Sequence, residues 1–326
     1  MSKMINCRAV CKFLKAKNDY IILTHTSPDG DTLGSAYALA LGLISMGKKA
    51  YVVCSDDIPS RYDYFVKKAD LKPIDYKTIV AVDVADPKLL GELYGTCKDR
   101  VELCIDHHIS NTGYAKNLYL DKNASATAEC IYEILKMLRV KITPLIAECL
   151  YTGIATDTGC FKYSNVTVKT HLITAELYKN KINAAEINRL MFDTKSKARL
   201  ELEKMVLETA KFHFDNRCIV LTVTDEMQKK SGCEPSDLEG VAVISRSVEG
   251  VMVGVSIKQT EKDVYKISLR TYDPIDASAI CQTLGGGGHK GAAGCTLTGE
   301  LSAVKKQILS AVKAALEEND AGATDN

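Results

Sequence analysis

Four short apolar, β-branched runs, Tyr20–Thr24, Ala50–Cys54, Thr78–Val82 and Val101–Ile105, lie too far apart to be joined as hairpins. Between the first two runs, "LGSAYALALGLISMGKKA" places apolar residues at helical spacing until about Gly47. Strand, crossover helix, strand is the pattern of a parallel α/β sheet, and few other folds accept it. Two more helical patterns follow, at Ala124–Arg139 and Thr143–Thr156. The second offers Thr143 as N-cap and Pro144 at the first helical position, where a missing N–H costs nothing.

Open parallel sheets bind ligands beyond the carboxyl ends of their strands. His25, Asp29 and Asp31 follow the first run, in "THTSPDGDTLGS", and Asp83 follows the third, in "VAVDVAD". The fourth run ends in Asp106, His107 and His108, and Asp157 closes the helix that begins at Pro144. So many carboxylates on one edge repel each other unless cations neutralise them. Imidazoles among carboxylates suit a borderline divalent ion such as manganese, and this many ligands suffice for two ions about 3.5–4 Å apart.

Each residue alone has an ordinary reading: Asp31 or Asp106 as a helix cap, Asp29-Gly30 as a turn, His25 as a core histidine. Together they do not, because four of the six histidines fall in motif-like segments: His25, His107 and His108 here, and His289 in the glycine run "GGGGHKGAAG". The other two, His171 and His213, read as structural.

A chain of 326 residues is comfortable as two domains. Its 42 Lys plus Arg against 41 Asp plus Glu argue against gripping long duplex nucleic acid by counterion release, and leave room for a local basic cleft. The 12 cysteines form no C-x-x-C pair, so they read as small core residues of a cytoplasmic protein rather than a zinc ribbon. No run approaches membrane-spanning length, so no membrane is expected.

"KSKARLELEKMVLETAKF", Lys195 to Phe212, is charged and amphipathic and reads as a connecting helix. The expected division is a catalytic domain over 1–194, a linker helix over 195–215 and a smaller domain over 216–326. In the smaller domain "CIVLTV", "VMVGVSI" and "VYKISLRT" read as strands, and Ser302–Glu317 as a last helix before a frayed tail, "ENDAGATDN". The glycine run "GGGGHKGAAG" formally matches G-x-G-x-x-G at Gly286, Gly288 and Gly291, but it follows a helical pattern rather than a strand. His289-Lys290-Gly291 also lacks the Ser/Thr that ends a Walker A loop. Consecutive glycines let backbone N–H groups approach a phosphate closely, and His289 adds a side-chain donor.

In their order, "HTSPDGDTLGS", "VAVDVAD", "CIDHHIS" and "TDTGCF" resemble the four motifs of the DHH family of phosphoesterases. "GGGGHKGAAG" is similar to the signature of the DHH-associated C-terminal domain of its RecJ-like branch. The resemblance spans roughly residues 20–295, and the compact two-domain arrangement is most like the NrnA-type oligoribonucleases. It implies an N-terminal parallel-sheet α/β phosphoesterase domain, joined by a helical linker to a smaller α/β substrate-binding domain.

The resemblance also implies two manganese ions, with magnesium or cobalt as substitutes. His25, Asp29 and Asp83 would take one; Asp31, Asp83, His107 and Asp157 the other, with Asp83 shared and sharing of Asp157 open. Asp106 would orient the histidines and His108 would face the substrate phosphate as donor or general acid, so that His108, Asp106 and Asp83 form the catalytic set. Ser268 and Arg270 match a serine-x-arginine strand that supplies an arginine to a nucleotide phosphate, held bidentately as lysine cannot. With Gly286, Gly287, Gly288 and His289 they make up the implied substrate-binding set. Ser27 and Thr32 depart from the Asn and Ala common in the family, at positions that are not ligands.

The implied substrates are short RNA oligonucleotides, linear dinucleotides such as pApA, and 3'-phosphoadenosine 5'-phosphate. A cyclic di-AMP phosphodiesterase is the nearest alternative, and an inactive nucleotide sensor the alternative of another class. A pyrophosphatase is disfavoured by the glycine–histidine signature. The sequence leaves a homodimer open.

Overall fold

The spaced apolar runs become neighbouring strands. A computed structural model of the chain describes residues 2–233, 244, 245 and 247–324. It divides the chain into two units, Met1–Thr194 and Lys195–Asn326. In the first, β1 (Lys3–Met4), β2 (Tyr20–Leu23), β3 (Ala50–Val53), β4 (Thr78–Val82), β5 (Leu103–Asp106) and β6 (Asn117–Leu120) form one sheet, ordered β1-β6-β5-β4-β2-β3. All five pairings are parallel. β5 starts two residues later than the sequence pattern indicates, so Asp106 is its last residue and buried within it.

Helices α1 (Cys7–Ala16), α2 (Gly30–Ser45), α3 (Asp63–Ala69), α4 (Tyr94–Cys97), α5 (Thr127–Met137) and α6 (Pro144–Asp157) belong to this unit. Asp29 caps α2, its Oδ1 accepting from the N–H groups of Asp31 and Thr32, both at 3.0 Å. Thr143 caps α6 at the N–H of Ile146, with Pro144 beside it. Helices α2 and α6 approach closely enough that a Cβ at Gly34 would collide with the Cys149 carbonyl oxygen, and one at Gly153 would sit 2.7 Å from both Ala128 Cβ and Asp31 Oδ1. Glycine at these two positions lets α2, α5 and α6 bring their ends together.

The second unit has one six-stranded sheet, ordered β11-β12-β10-β9-β8-β7. Its strands are β7 (Lys211–His213), β8 (Cys218–Val223), β9 (Val253–Glu261), β10 (Val264–Thr271), β11 (Gly287–His289) and β12 (Ala292–Thr298). Only β8 and β9 pair in parallel. Helices Ala277–Gln282 and Leu301–Thr324 cover one face, burying Ile280, Val304, Ile308, Val312 and Leu316 against Val255, Ile257 and Ile267.

Two expectations need correction here. The segment over 195–215 is not one linker helix: the helix is Lys197–Glu208 and Lys211–His213 is already strand β7. Leu202 and Val206 of that helix pack on Ile219, Leu221 and Val223, which ties it to the second sheet. The C-terminal stretch does not fray after Glu317 but continues as helix to Thr324, and Arg217 Nη1 donates to each carboxylate oxygen of Asp320 at 2.8 Å. Part of the glycine run, Gly287–His289, is an edge strand. Among the described residues no helix is long and apolar enough to cross a membrane.

Candidate metal centre

Each strand end delivers its side chain with a defined orientation. Beyond β2, His25 Nδ1 contacts the Thr26 carbonyl oxygen at 2.7 Å, which makes Nδ1 the protonated nitrogen of the neutral ring. Its Nε2 then faces Asp29 Oδ1 at 3.6 Å and Asp83 Oδ2 at 3.8 Å. Asp83 follows β4 with φ of +61°, a left-handed backbone that costs a non-glycine residue about 1–3 kcal/mol. Its N–H donates to Ile105 O at 2.9 Å and its Oδ1 accepts from Thr127 Oγ1 at 2.7 Å.

Asp31, in the first turn of α2, lies against the N-terminus of α5. The N–H groups of Thr127 and Ala128 donate to its two carboxylate oxygens at 2.6 and 2.9 Å, and Ser35 Oγ adds a bond of 3.1 Å. A helix N-terminus favours the ionised carboxylate. His107 Nδ1 contacts the Ala124 carbonyl oxygen at 3.0 Å. That leaves Nε2 buried without a hydrogen-bond partner, 3.5 Å from Asp157 Oδ2, 3.9 Å from Asp83 Oδ1 and 4.0 Å from Asp31 Oδ2.

Asp106 sits apart from this convergence. It is wholly buried, and its Oδ1 accepts from the N–H groups of His107 and His108 and from His108 Nδ1 at 2.7, 3.1 and 2.8 Å. Asn111 donates to its Oδ2 at 2.6 Å. With both oxygens occupied, Asp106 holds the histidine pair in place. His108, about a third exposed, is the histidine of the pair that reaches solvent.

Electrostatics show what the cluster lacks. Burial, then the charge of Asp83, pushes Asp31 up to about 7. Burial and Asp29 push Asp83 up to about 6, and burial and Asp31 push Asp157 up to about 7. Burial disfavours the His25 and His108 cations, but Asp29 outweighs it at His25, raised to about 9, and Asp106 at His108, raised to about 10. Three carboxylates resisting ionisation, Asp31 and Asp83 buried and Asp157 half-buried, beside an unpartnered imidazole nitrogen form an arrangement that a cation would relieve. His25, Asp29 and Asp83 form one compact donor set, Asp31, His107 and Asp157 a second, and Asp83, His107 and His108 a third.

The second unit gathers its own expected residues. Arg270 on β10 and His289 on β11 both stand opposite Ala292 on β12, so they share one sheet face about 10 Å apart. Ser268, two residues from Arg270, is on that face too, opposite the one that Tyr265, Ile267 and Leu269 bury against the helices. A Cβ at Gly286 would collide with the Gly294 carbonyl oxygen, and one at Gly288 would lie 2.6 Å from that of Ala292, so glycine allows this close strand approach.

The N-terminal domain model of the DHH family matches residues 19–154, and the DHHA1 domain model matches 215–318. A Thermus thermophilus protein named bifunctional oligoribonuclease and PAP phosphatase NrnA is 35% identical over 315 residues, covering 94% of this chain and 93% of its own. The chain belongs to the DHH family. Its Bacillus subtilis relative of the same name is 25% identical over 287 residues, covering 86% and 90%. The crystal structure of an exopolyphosphatase-related protein from Bacteroides fragilis superimposes with a TM-score of 0.84 at 25% identity, covering 96% and 95%. RecJ of Thermus thermophilus in complex with Mn2+ shares the fold, with a TM-score of 0.55 at 17% identity, covering 94% of this chain and 54% of that one.

Several groups of this DHH protein escape a reading of the sequence. Thr127 serves both Asp31 and Asp83, Ala124 orients His107 through a backbone carbonyl, and Asn111 closes the shell of Asp106. Asn165 bridges the carbonyl oxygens of Ser125 and Asp157 at 2.9 and 3.1 Å. Only Thr127 left a signal, as a polar residue at the start of the helical pattern in "ASATAEC".

Proposed function

We propose that this DHH phosphoesterase hydrolyses short oligoribonucleotides and linear dinucleotides such as pApA, and removes a phosphate from 3'-phosphoadenosine 5'-phosphate. The observation that carries the reading is the buried Nε2 of His107, without a partner and facing Asp31, Asp83 and Asp157. That donor set fits divalent cations, manganese foremost with magnesium or cobalt as substitutes. His25, Asp29 and Asp83 would hold one ion; Asp31, Asp83, His107 and Asp157 the other. When bound, such a pair supplies positive charge for the attacked phosphate and acidifies a water molecule.

The chain's own groups do the rest. Asp106 keeps His108 protonated at Nδ1 and fixes its ring, so the second ring nitrogen is placed to donate to the leaving oxygen. Water oxygen bonds to phosphorus and gives up a proton to solvent, the bridging P–O bond breaks, the proton from His108 ends on the departing oxygen, and His108 is reprotonated from solvent. In the second unit, Arg270, Ser268, His289 and the N–H groups of Gly286, Gly287 and Gly288 hold a substrate phosphate. All 12 cysteines are free, which suits a reducing cytoplasm.

The test is a side-by-side assay with manganese on pApA, a short RNA, 3'-phosphoadenosine 5'-phosphate and cyclic di-AMP. Activity on the linear compounds that Asp83→Ala abolishes supports the reading. A preference for the cyclic dinucleotide contradicts it, and so does inactivity on all four.

A further inference from the structure

Helix α1 carries a charge pattern that the metal centre does not use. The first seventeen residues contain Lys3, Arg8, Lys12, Lys15 and Lys17 and no Asp or Glu, in a chain that is nearly neutral overall. Lys17 pairs with Glu102 at 3.0 Å. Arg8, Lys12 and Lys15 are exposed, and among the described residues none of them is paired with a carboxylate.

Spacings of four and three residues stack these three cations on one face of α1, over about 10 Å of helix. The adjoining apolar face cannot turn outward. Val10, Cys11 and Leu14 are buried in one cluster with Ile131, Ile134 and Leu135 of α5, and Cys11 Sγ donates to Ile134 O at 3.7 Å. Arg8, Lys12, Lys15, Cys11 and Met137 line an open groove of about 590 Å³. Met137, 48% exposed at the end of α5, gives it an apolar floor.

Topology points the row at the metal centre. Strands β1 and β2 run in the same direction through the chain of parallel pairings, so α1 between them runs against the strands. Its Arg8 end therefore lies toward the sheet edge that carries His25 and Asp83, and its Lys15 end toward the other edge. A small anion would need donors converging on a point. Three cations in a row above an apolar floor match a linear polyanion that also carries flat apolar groups.

We propose that this groove binds the phosphate backbone of single-stranded RNA extending beyond the nucleotides held at the metal centre. Arg8, Lys12 and Lys15 take phosphates and Met137 packs on a base. The assignment rests on the oligoribonuclease reading and adds a length dependence to it. Substrates of two nucleotides do not reach the groove, and longer strands do.

The experiment measures binding of a fluorescent oligoadenylate of roughly twelve nucleotides to the full chain in EDTA, by anisotropy between about 50 and 200 mM salt. The triple variant Arg8→Gln, Lys12→Gln, Lys15→Gln is expected to bind on the order of tenfold more weakly at the low-salt end. Its slope of log affinity against log salt falls by about two, as expected for three lost phosphate contacts. Hydrolysis of pApA stays at the parent rate, and Lys12→Arg with Lys15→Arg keeps the RNA affinity, which separates charge from folding. Unchanged affinity and slope overturn the assignment. Displacement of the RNA by polyglutamate as effectively as by unlabelled RNA of equal charge also overturns it, in favour of an acidic protein partner. Because EDTA removes catalysis from this measurement, an inactive enzyme in the hydrolysis assay would refute the reaction without touching the groove.

Discussion

The backbone N–H of Thr127 donates to Asp31 Oδ2 at 2.6 Å, and the hydroxyl of the same residue donates to Asp83 Oδ1 at 2.7 Å. One residue at the start of α5 thus positions carboxylates that come from two other elements. Thr127→Val keeps the shape and the backbone bond but leaves Asp83 one donor short. Groups that orient metal ligands are worth about 10–100-fold in affinity or activity. The expected result is a loss of that order in kcat/KM, with a stability cost of about 1 kcal/mol seen by urea unfolding.

Asp106 contacts His108 at 2.8 Å, and the proposed role of His108 as proton donor makes that contact testable. In Asp106→Asn an amide replaces an oxygen that faces three donors, and the charge that raises His108 to about 10 is gone. The limb of the pH–rate profile that requires protonated His108 should move to lower pH. A profile of unchanged shape, merely lower in height, would show that Asp106 does not set the state of His108.

Stability of the metal-free protein should fall as pH rises. Asp31, Asp83 and Asp157 have folded-state values of about 7, 6 and 7 against 3.8, so the folded chain binds more protons than the unfolded chain between about pH 4 and 7. His25 and His108, raised from 6.5 to about 9 and 10, carry the same sign over the next interval: their contribution is complete below about 6.5 and lost as pH passes the folded values. Thermal unfolding in EDTA should show Tm decreasing from pH 5 to pH 9. Saturating divalent cation should oppose that trend, because the ligands bind it deprotonated.

Gly34→Ala tests the helix contact behind the site. The added methyl meets the Cys149 carbonyl oxygen, and overpacking of this kind costs about 1–3 kcal/mol. Cation affinity should drop with it, because α2 carries Asp31 and α6 carries Asp157. Unfolding and cation titrations of the same sample measure both.

Arg270→Lys tests the second unit. Losing the planar fork should raise KM for short RNA about tenfold and leave kcat nearly unchanged, the signature of lost ground-state binding. A fall in kcat with KM constant would place Arg270 in a different role.

The strand ends were legible because β-branched runs and crossover helices leave periodic signals, and His25, Asp83 and His107 stand next to them. Orientation was not legible. The tautomer of His107 depends on a backbone carbonyl at Ala124, and the cradle of Asp31 depends on N–H groups that any residue type supplies. Thr127 reaches Asp31 from 96 positions along the chain, a distance at which local periodicity says nothing. In the second unit the same limit applied. A glycine run reads as backbone able to approach a phosphate, and only strand pairing shows that Gly287–His289 lies at a sheet edge in register with Arg270.

Whether the chain holds two ions is decided by titrating manganese into the metal-free protein by calorimetry. The expected result is two ions per chain in the parent, loss of both sites in Asp83→Ala, and loss of one in His107→Ala. A parent that binds fewer than two ions, or variants that bind as the parent does, would contradict it.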